Sequence, residues 1–293
     1  MEHIYLDNAA TTPMAPEVIK TMTDQMQNDF GNASSTHYFG RTAHTVLDNA
    51  RQIVADALHV KPATIVFTGG ATESNNTVIM QTAAARSGLG KHIITTAIEH
   101  LSVLKPMQAL EKQGFKVTYL PVDENGEISL ADFDAALDDE TILVSIMYGN
   151  NEVGSVMPIK EIGDRLRDHQ AYFHVDATQA FGLIDINPEE LGIDLLSASA
   201  HKLNGPKGVG LLYRDADVHF ESYLRGGEQE TKRRAGTENR SEGLPWPAST
   251  LRRSRPCRNA TLGSPGGLPR PWMKQGSPTI STVTSSTNAC SMS

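Results

Sequence analysis

The sequence predicts an α/β fold, a mostly parallel sheet of seven strands covered by helices on both faces. Three features predict it. Short runs rich in Val, Ile and Thr alternate with helix-length segments of roughly 10–15 residues, the spacing of crossover units. The strand-like runs are largely apolar, as in a sheet buried on both sides. Polar residues cluster just past the strand ends, the edge on which such sheets carry their chemistry.

Taken in order, strand Thr64–Thr68 leads through two glycines into a helix starting at Thr72. Strand His92–Thr95 follows, then a helix over Leu101–Gln113 and a strand over Lys116–Pro121. A short helix near Leu130–Leu137 precedes the apolar strand Ile142–Met147, and helix Ile159–His169 precedes strand Ala171–Val175. Leu195–Ser199 and Gly208–Tyr213 complete the strands.

A chain of 293 residues with 39% apolar content can bury a sizeable core. Its formal charge of −8 argues against nucleic acid, whose phosphates call for clustered basic residues. Residues Met1–Asp7 lack the charged start and apolar run of a signal peptide, and no apolar stretch approaches the roughly 20 residues that span a bilayer. A cytoplasmic protein with a small-molecule substrate is expected. Two cysteines, Cys257 and Cys290, make no disulfide framework and have no zinc-ligand spacing.

Composition changes after Arg240, where Ser, Pro, Thr, Gly and Arg dominate. From Ser241 onward six basic residues face one acid, and both cysteines and both tryptophans of the chain fall there. The expected division is therefore a folded domain over 1–240 and a low-complexity tail over 241–293. The tail reads as a basic functional extension, a disordered linker or a non-native, frameshift-like continuation. The last is favoured because a coherent sequence stops inside a motif.

Five polar clusters carry the candidate chemistry. In His174–Gln179 an acid leaves a buried strand; Asp176 can pair with a protonated ring nitrogen and Gln179 can donate to a phenolic oxygen. A helix N-cap is the plainer role for such an Asp. In Ser197–Lys202, Lys202 stands beside a strand end as a Schiff-base amine, with Ser199 and His201 near enough in sequence to hold a phosphate. A solvated lysine in a turn is the alternative. Phe67–Asn76 resembles an anion cradle, in which free N–H groups at a helix start, reinforced by the Thr72 hydroxyl, favour a phosphate. A turn with an ordinary cap would look similar. Ala97–His100 and Tyr148–Gly154 add His100, able to stack on a flat ring or move protons, and Asn151, able to contact ring or substrate. A lone histidine is often only structural.

With these motifs in hand, residues 4–239 resemble the class V aminotransferase branch of fold-type I pyridoxal-phosphate (PLP) enzymes, and most closely the cysteine desulfurases. YLDNAATTP at Tyr5–Pro13 and FGNASSTH at Phe30–His37 are similar to the family's opening signatures; GATESNN, EH, NNEVG, HVDATQ, SASAHKLNGPKG and RRAGTEN follow in the family's order.

The resemblance implies the following roles. Lys202 forms the Schiff base, Asp176 binds the pyridine nitrogen, Gln179 the phenolic oxygen, His100 stacks on the ring and Asn151 completes the ring contacts. Ala71, Thr72, Ser199 and His201 hold the phosphate, and Thr237 reaches the phosphate of a partner subunit, so a homodimer is implied. The implied reaction takes sulfur from L-cysteine, leaving L-alanine and an enzyme persulfide for an iron–sulfur scaffold or a tRNA-thiolation protein, with His100 and Lys202 handling protons. In the family the nucleophilic cysteine, the arginine that clamps the substrate carboxylate and a small C-terminal domain lie beyond this chain's last residue. Impaired activity and exposed apolar surface are expected of this form. Cys290, within Ala289–Ser291, resembles the family's cysteine loop only superficially. Alternatives are a related selenocysteine lyase or other PLP-dependent β-elimination, a non-catalytic PLP-binding or dimerisation fragment, and a sequence with no stable folded product.

Overall fold

The apolar runs read as strands pair into one sheet in the computed structural model, which describes residues 3–239. Cys257, Cys290 and the tail over 241–293 lie outside the described residues. In chain order the elements are α1 (Pro16–Asn28), α2 (Tyr38–Ala57), β1 (Ile65–Thr68), α3 (Ala71–Arg86), β2 (His92–Thr96), α4 (Leu101–Glu111) and β3 (Lys116–Leu120). There follow α5 (Leu130–Ala136), β4 (Thr141–Met147), α6 (Ile159–Leu166), β5 (Tyr172–Asp176), α7 (Pro188–Leu191), β6 (Leu195–Ser199) and β7 (Gly210–Arg214).

The sheet order is β1-β7-β6-β5-β4-β2-β3. Pairings among β2 to β6 are parallel, whereas β7 runs antiparallel to both of its neighbours, so the expected mostly parallel seven-stranded sheet is present. Strand side chains alternate between faces with period two. On one face Ile94, Val144, Phe173, Leu196 and Leu211 pack with Ala50 and Val54 of α2 and Ile162 of α6. On the other, Ile93, Leu143, Leu195 and Leu212 pack with Val78 and Ile79 of α3 and Val103 and Met107 of α4. Helices therefore cover both faces, and no side chain of β1, β4, β6 or β7 is left in solvent.

Sequence reading assigns no helix or strand before Thr64, yet two helices stand there. Helix α1 buries only Val18, so its periodicity is faint. The stripe of α2 is stronger: Ala43, Leu47, Ala50 and Val54 recur at helical spacing and are all buried, and the His37 ring accepts the Gly40 N–H at 3.3 Å as its N-cap. Elsewhere the predicted boundaries stand within about two residues, the fraying range of helix and strand ends, except that α6 ends at Leu166, three short of the expected His169, and the short α7 is not among the predicted elements. Among the described residues no helix is long and apolar enough to cross a membrane.

Candidate functional site

Because β7 is antiparallel to both β1 and β6, strand β1 points the same way as the parallel set. The segments after β1, β2, β4, β5 and β6 consequently emerge on one edge of the sheet. They surround a cavity of about 790 Å3, lined by nine of the ten residues proposed from sequence: Ala71, Thr72, His100, Asn151, Asp176, Gln179, Ser199, His201 and Lys202. Thr237 does not line it and is exposed.

Asp176 closes β5 and is buried. Its Oδ1 accepts from the Thr178 N–H at 3.0 Å and from the Thr178 hydroxyl at 2.5 Å, and its Oδ2 accepts from Asn75 Nδ2 at 2.7 Å. The second N–H of that Asn75 amide donates to Ser102 Oγ at 2.9 Å, and Ser102 Oγ lies 2.7 Å from His100 Nδ1. His100 is the N-cap of α4, its Nδ1 accepting the Ser102 N–H at 3.1 Å. The structural role weighed for this histidine is present, since Nδ1 caps the helix, and the residue also lines the cavity.

Lys202 follows β6 in a single 3-10 turn, Ala200–Lys202. Its Nζ donates to the carbonyls of Ala9 and, at 2.9 Å, Ala10. Burial lowers its pKa, while the charges of Asp7 and Asp176 pull in the opposite direction. His201 is likewise lowered, first by burial and then by Lys202 and Lys207. The opening motif of the chain lies across this turn: the Thr12 N–H and hydroxyl both donate to the His201 carbonyl, and the Asn204 N–H donates to Thr12 Oγ1 at 2.7 Å. Gln179 also turns to this arm, donating to the Ala9 carbonyl at 3.0 Å. Asn151 sits at the rim, its amide donating to Glu152 at 2.8 Å.

The glycine pair forms the turn between β1 and α3. Gly70, with φ of +146°, turns the chain into α3, whose start carries no side-chain cap, and Gly70, Ala71 and Thr72 line the cavity. The Gly69 N–H is taken by Glu73 Oε2 at 2.8 Å, and Glu73 is bound in turn by Arg234.

Two buried groups behind the cavity stand in motifs the sequence brings forward but carry no role there. Glu99 accepts the Thr96 hydroxyl at 2.8 Å and the Met147 N–H at 2.9 Å through Oε1, and burial pushes its pKa up to about 8. His174, fully buried between Ser145 at 2.8 Å and Ser197 at 2.9 Å, is pushed down by desolvation, which the charge of Asp176 offsets in part. Asn75, Ser102 and Thr178 were also passed over as site residues. Asn75 and Thr178 lie inside quoted motifs, so their positions were in view; only the fold shows that Asn75 and Asp176, 101 positions apart, touch.

Residues 4–248 match the class V aminotransferase family. The cysteine desulfurase IscS of Dictyoglomus turgidum is 49% identical over 236 residues, which are 80% of this chain and 60% of that one. A solved NifS-like protein superposes with a TM-score of 0.83 at 38% identity, covering 86% of this chain and 70% of its own. SspA in complex with cysteine superposes with a TM-score of 0.82 at 39% identity, covering 85% and 72%. The chain spans about three fifths of the length of the curated relatives it matches.

Proposed function

The chain belongs to the class V aminotransferase family, and within it to the cysteine desulfurases; on that premise we propose that its cavity binds PLP and takes sulfur from L-cysteine, leaving L-alanine. One observation carries the reading: a lysine of lowered pKa, a buried carboxylate and an uncapped helix start meet in one cavity. That donor set fits PLP, which presents an aldehyde, a pyridine nitrogen and a phosphate. A relative solved in complex with cysteine supports the substrate.

In this reading Lys202 supplies the amine that joins the cofactor covalently. Desolvation raises the fraction of that amine that is neutral and nucleophilic. Asp176, held by Asn75 and Thr178, presents its carboxylate to the pyridine nitrogen. The N–H groups of Ala71 and Thr72, with Ser199 and His201, take the phosphate. Gln179 and Asn151 would hold the polar edge of the ring, and His100 would stack on it. When bound, PLP supplies an electron sink that lowers the barrier to removing the substrate Cα proton. Lys202 and His100 hold and pass that proton. In this reading a cysteine thiolate would attack the substrate sulfur to form the persulfide as the carbon–sulfur bond breaks, its electron pair staying on the substrate carbon, which takes a proton to give L-alanine. No cysteine stands among the described residues, so that thiolate, and the iron–sulfur or tRNA-thiolation protein that would take the sulfur on, lie outside them. Thr237, exposed and away from its own cavity, would serve a partner's phosphate; Ile4, Leu6, Phe30 and Tyr38 are exposed apolar residues that a homodimer would cover.

The test is an absorbance spectrum of the purified chain with PLP beside that of Lys202→Ala. A visible band present in the first and lost in the second supports the cofactor site. Identical spectra for the two proteins overturn it.

A further inference from the structure

Glu73 is out of place beside a phosphate site. It stands in the first turn of α3, and its Oε2 accepts the N–H of Gly69, a cavity-lining residue. A carboxylate there repels an anion entering the cradle, although its hydrogen bond fixes the turn. The conflict is met from far along the chain. Arg234 Nε donates to Glu73 Oε1 at 2.9 Å and Arg234 Nη2 to Glu73 Oε2 at 3.3 Å, a two-pronged pair across 161 positions. Both side chains are only 19% exposed, so water screens the pair incompletely.

The segment that carries Arg234 is itself braced. Glu230, Thr231 and Lys232 all have positive φ, from 48° to 67°, a run that L-residues adopt only under constraint. Glu230 supplies the constraint: its carboxylate accepts from Arg51 at 2.7 and 2.8 Å and from the Phe67 N–H of edge strand β1 at 3.0 Å. Both ends of this segment are thus tied to the strand and helix that bracket the cradle.

Resting on the PLP reading above, we propose that Arg234 is a positioning residue for anion binding: by neutralising Glu73 it lets that carboxylate shape the Gly69–Gly70 turn without repelling the cofactor phosphate. The effect is electrostatic and local, so it is separable from bracing. Removing Arg234 alone unmasks a negative charge at the cradle. Removing both partners removes the conflict as well.

The test is titration of the full chain with PLP, followed by absorbance, for wild type, Arg234→Met, Glu73→Gln, the double variant and Arg234→Lys, with far-ultraviolet circular dichroism on each. Arg234→Met is expected to bind PLP about tenfold more weakly, a change of the size that one unscreened charge produces. Glu73→Gln is expected to bind more tightly than wild type. The double variant and Arg234→Lys are expected within about threefold of wild type. Arg234→Met binding like wild type overturns the proposal. So does a double variant as weak as Arg234→Met, or loss of fold in both, because the pair would then act only as a brace. Wild type failing to bind PLP overturns the cofactor reading and this proposal together, whereas binding that ignores Arg234 overturns this proposal alone.

Discussion

Asn75 donates one amide hydrogen to Asp176 at 2.7 Å and the other to Ser102 at 2.9 Å, joining the carboxylate at the end of β5 to the His100 loop after β2. The orientation of the amide follows from this geometry, because the flipped form would aim its oxygen at a carboxylate.

Asn75→Ala removes a donor from a buried acid and is expected to lower stability by about 1–3 kcal/mol. Asn75→Asp sets a second carboxylate against Asp176 and is expected to do worse, weakening PLP binding beyond the alanine variant. Urea denaturation and PLP titration on the three proteins check both. Equal stability for wild type and Asn75→Ala would mean that Asp176 does not depend on this amide.

The fold was legible because the strands are apolar and evenly spaced, and each cluster at a strand end has a composition that loops rarely have by chance. For that reason Lys202, Asp176 and the Gly69–Gly70 turn stand out in the sequence, and all of them line one cavity. What escaped was pairing at long range: Glu73 with Arg234, Arg51 with Glu230, and Lys202 with the Ala9 and Ala10 carbonyls. Nothing local marks those partners. Each half looks like an ordinary charged or backbone group until the sheet order brings its partner alongside. Glu99 was overlooked for a different reason, since beside the more reactive His100 its burial has no signature in sequence.

Glu99 makes stability fall as pH rises. Its folded pKa of about 8 lies above the usual value of 4.5, so the unfolded chain ionises first and the stabilisation present below pH 4.5 is lost progressively up to about pH 8. Glu99→Gln keeps the acceptor for Met147 and Thr96 without the ionisation. It is expected to match wild type below about pH 4.5 and to exceed it by a few degrees or more in Tm at pH 8. Parallel Tm curves for the two proteins would show that Glu99 ionises normally in the fold.

His174 acts at the other end. Its pKa is lowered, so its contribution is present above the unfolded value of 6.5 and is lost as pH falls toward about 4. Wild type should lose stability through that window, and His174→Gln, still able to bond Ser145 and Ser197, should show a shallower acid slope. Thermal melts at half-unit pH steps read the difference; an unchanged slope would assign the acid sensitivity to other groups.

Gly210 offers a test of the cradle from behind. It opens β7, pairing with Thr68 on one side and Ser199 on the other, so two segments that lead into the cavity flank it. A Cβ there would stand 2.5 Å from the Gly70 Cα, 2.6 Å from the Gly70 carbonyl carbon and 2.9 Å from the Ala198 oxygen. All three are backbone atoms, so no side chain can swing aside and the turn itself must move. Gly210→Ala is therefore expected to cost about 1–3 kcal/mol from overpacking and, because the displaced turn bears the anion cradle, to weaken PLP binding about tenfold. Gly88→Ala, whose added carbon would meet nothing within 4 Å, is the matched control and should stay within about 0.5 kcal/mol of wild type with unchanged PLP affinity. If Gly210→Ala loses stability but binds PLP normally, the cradle tolerates displacement, and the phosphate must be held chiefly by Ser199, His201 and the Thr72 side chain.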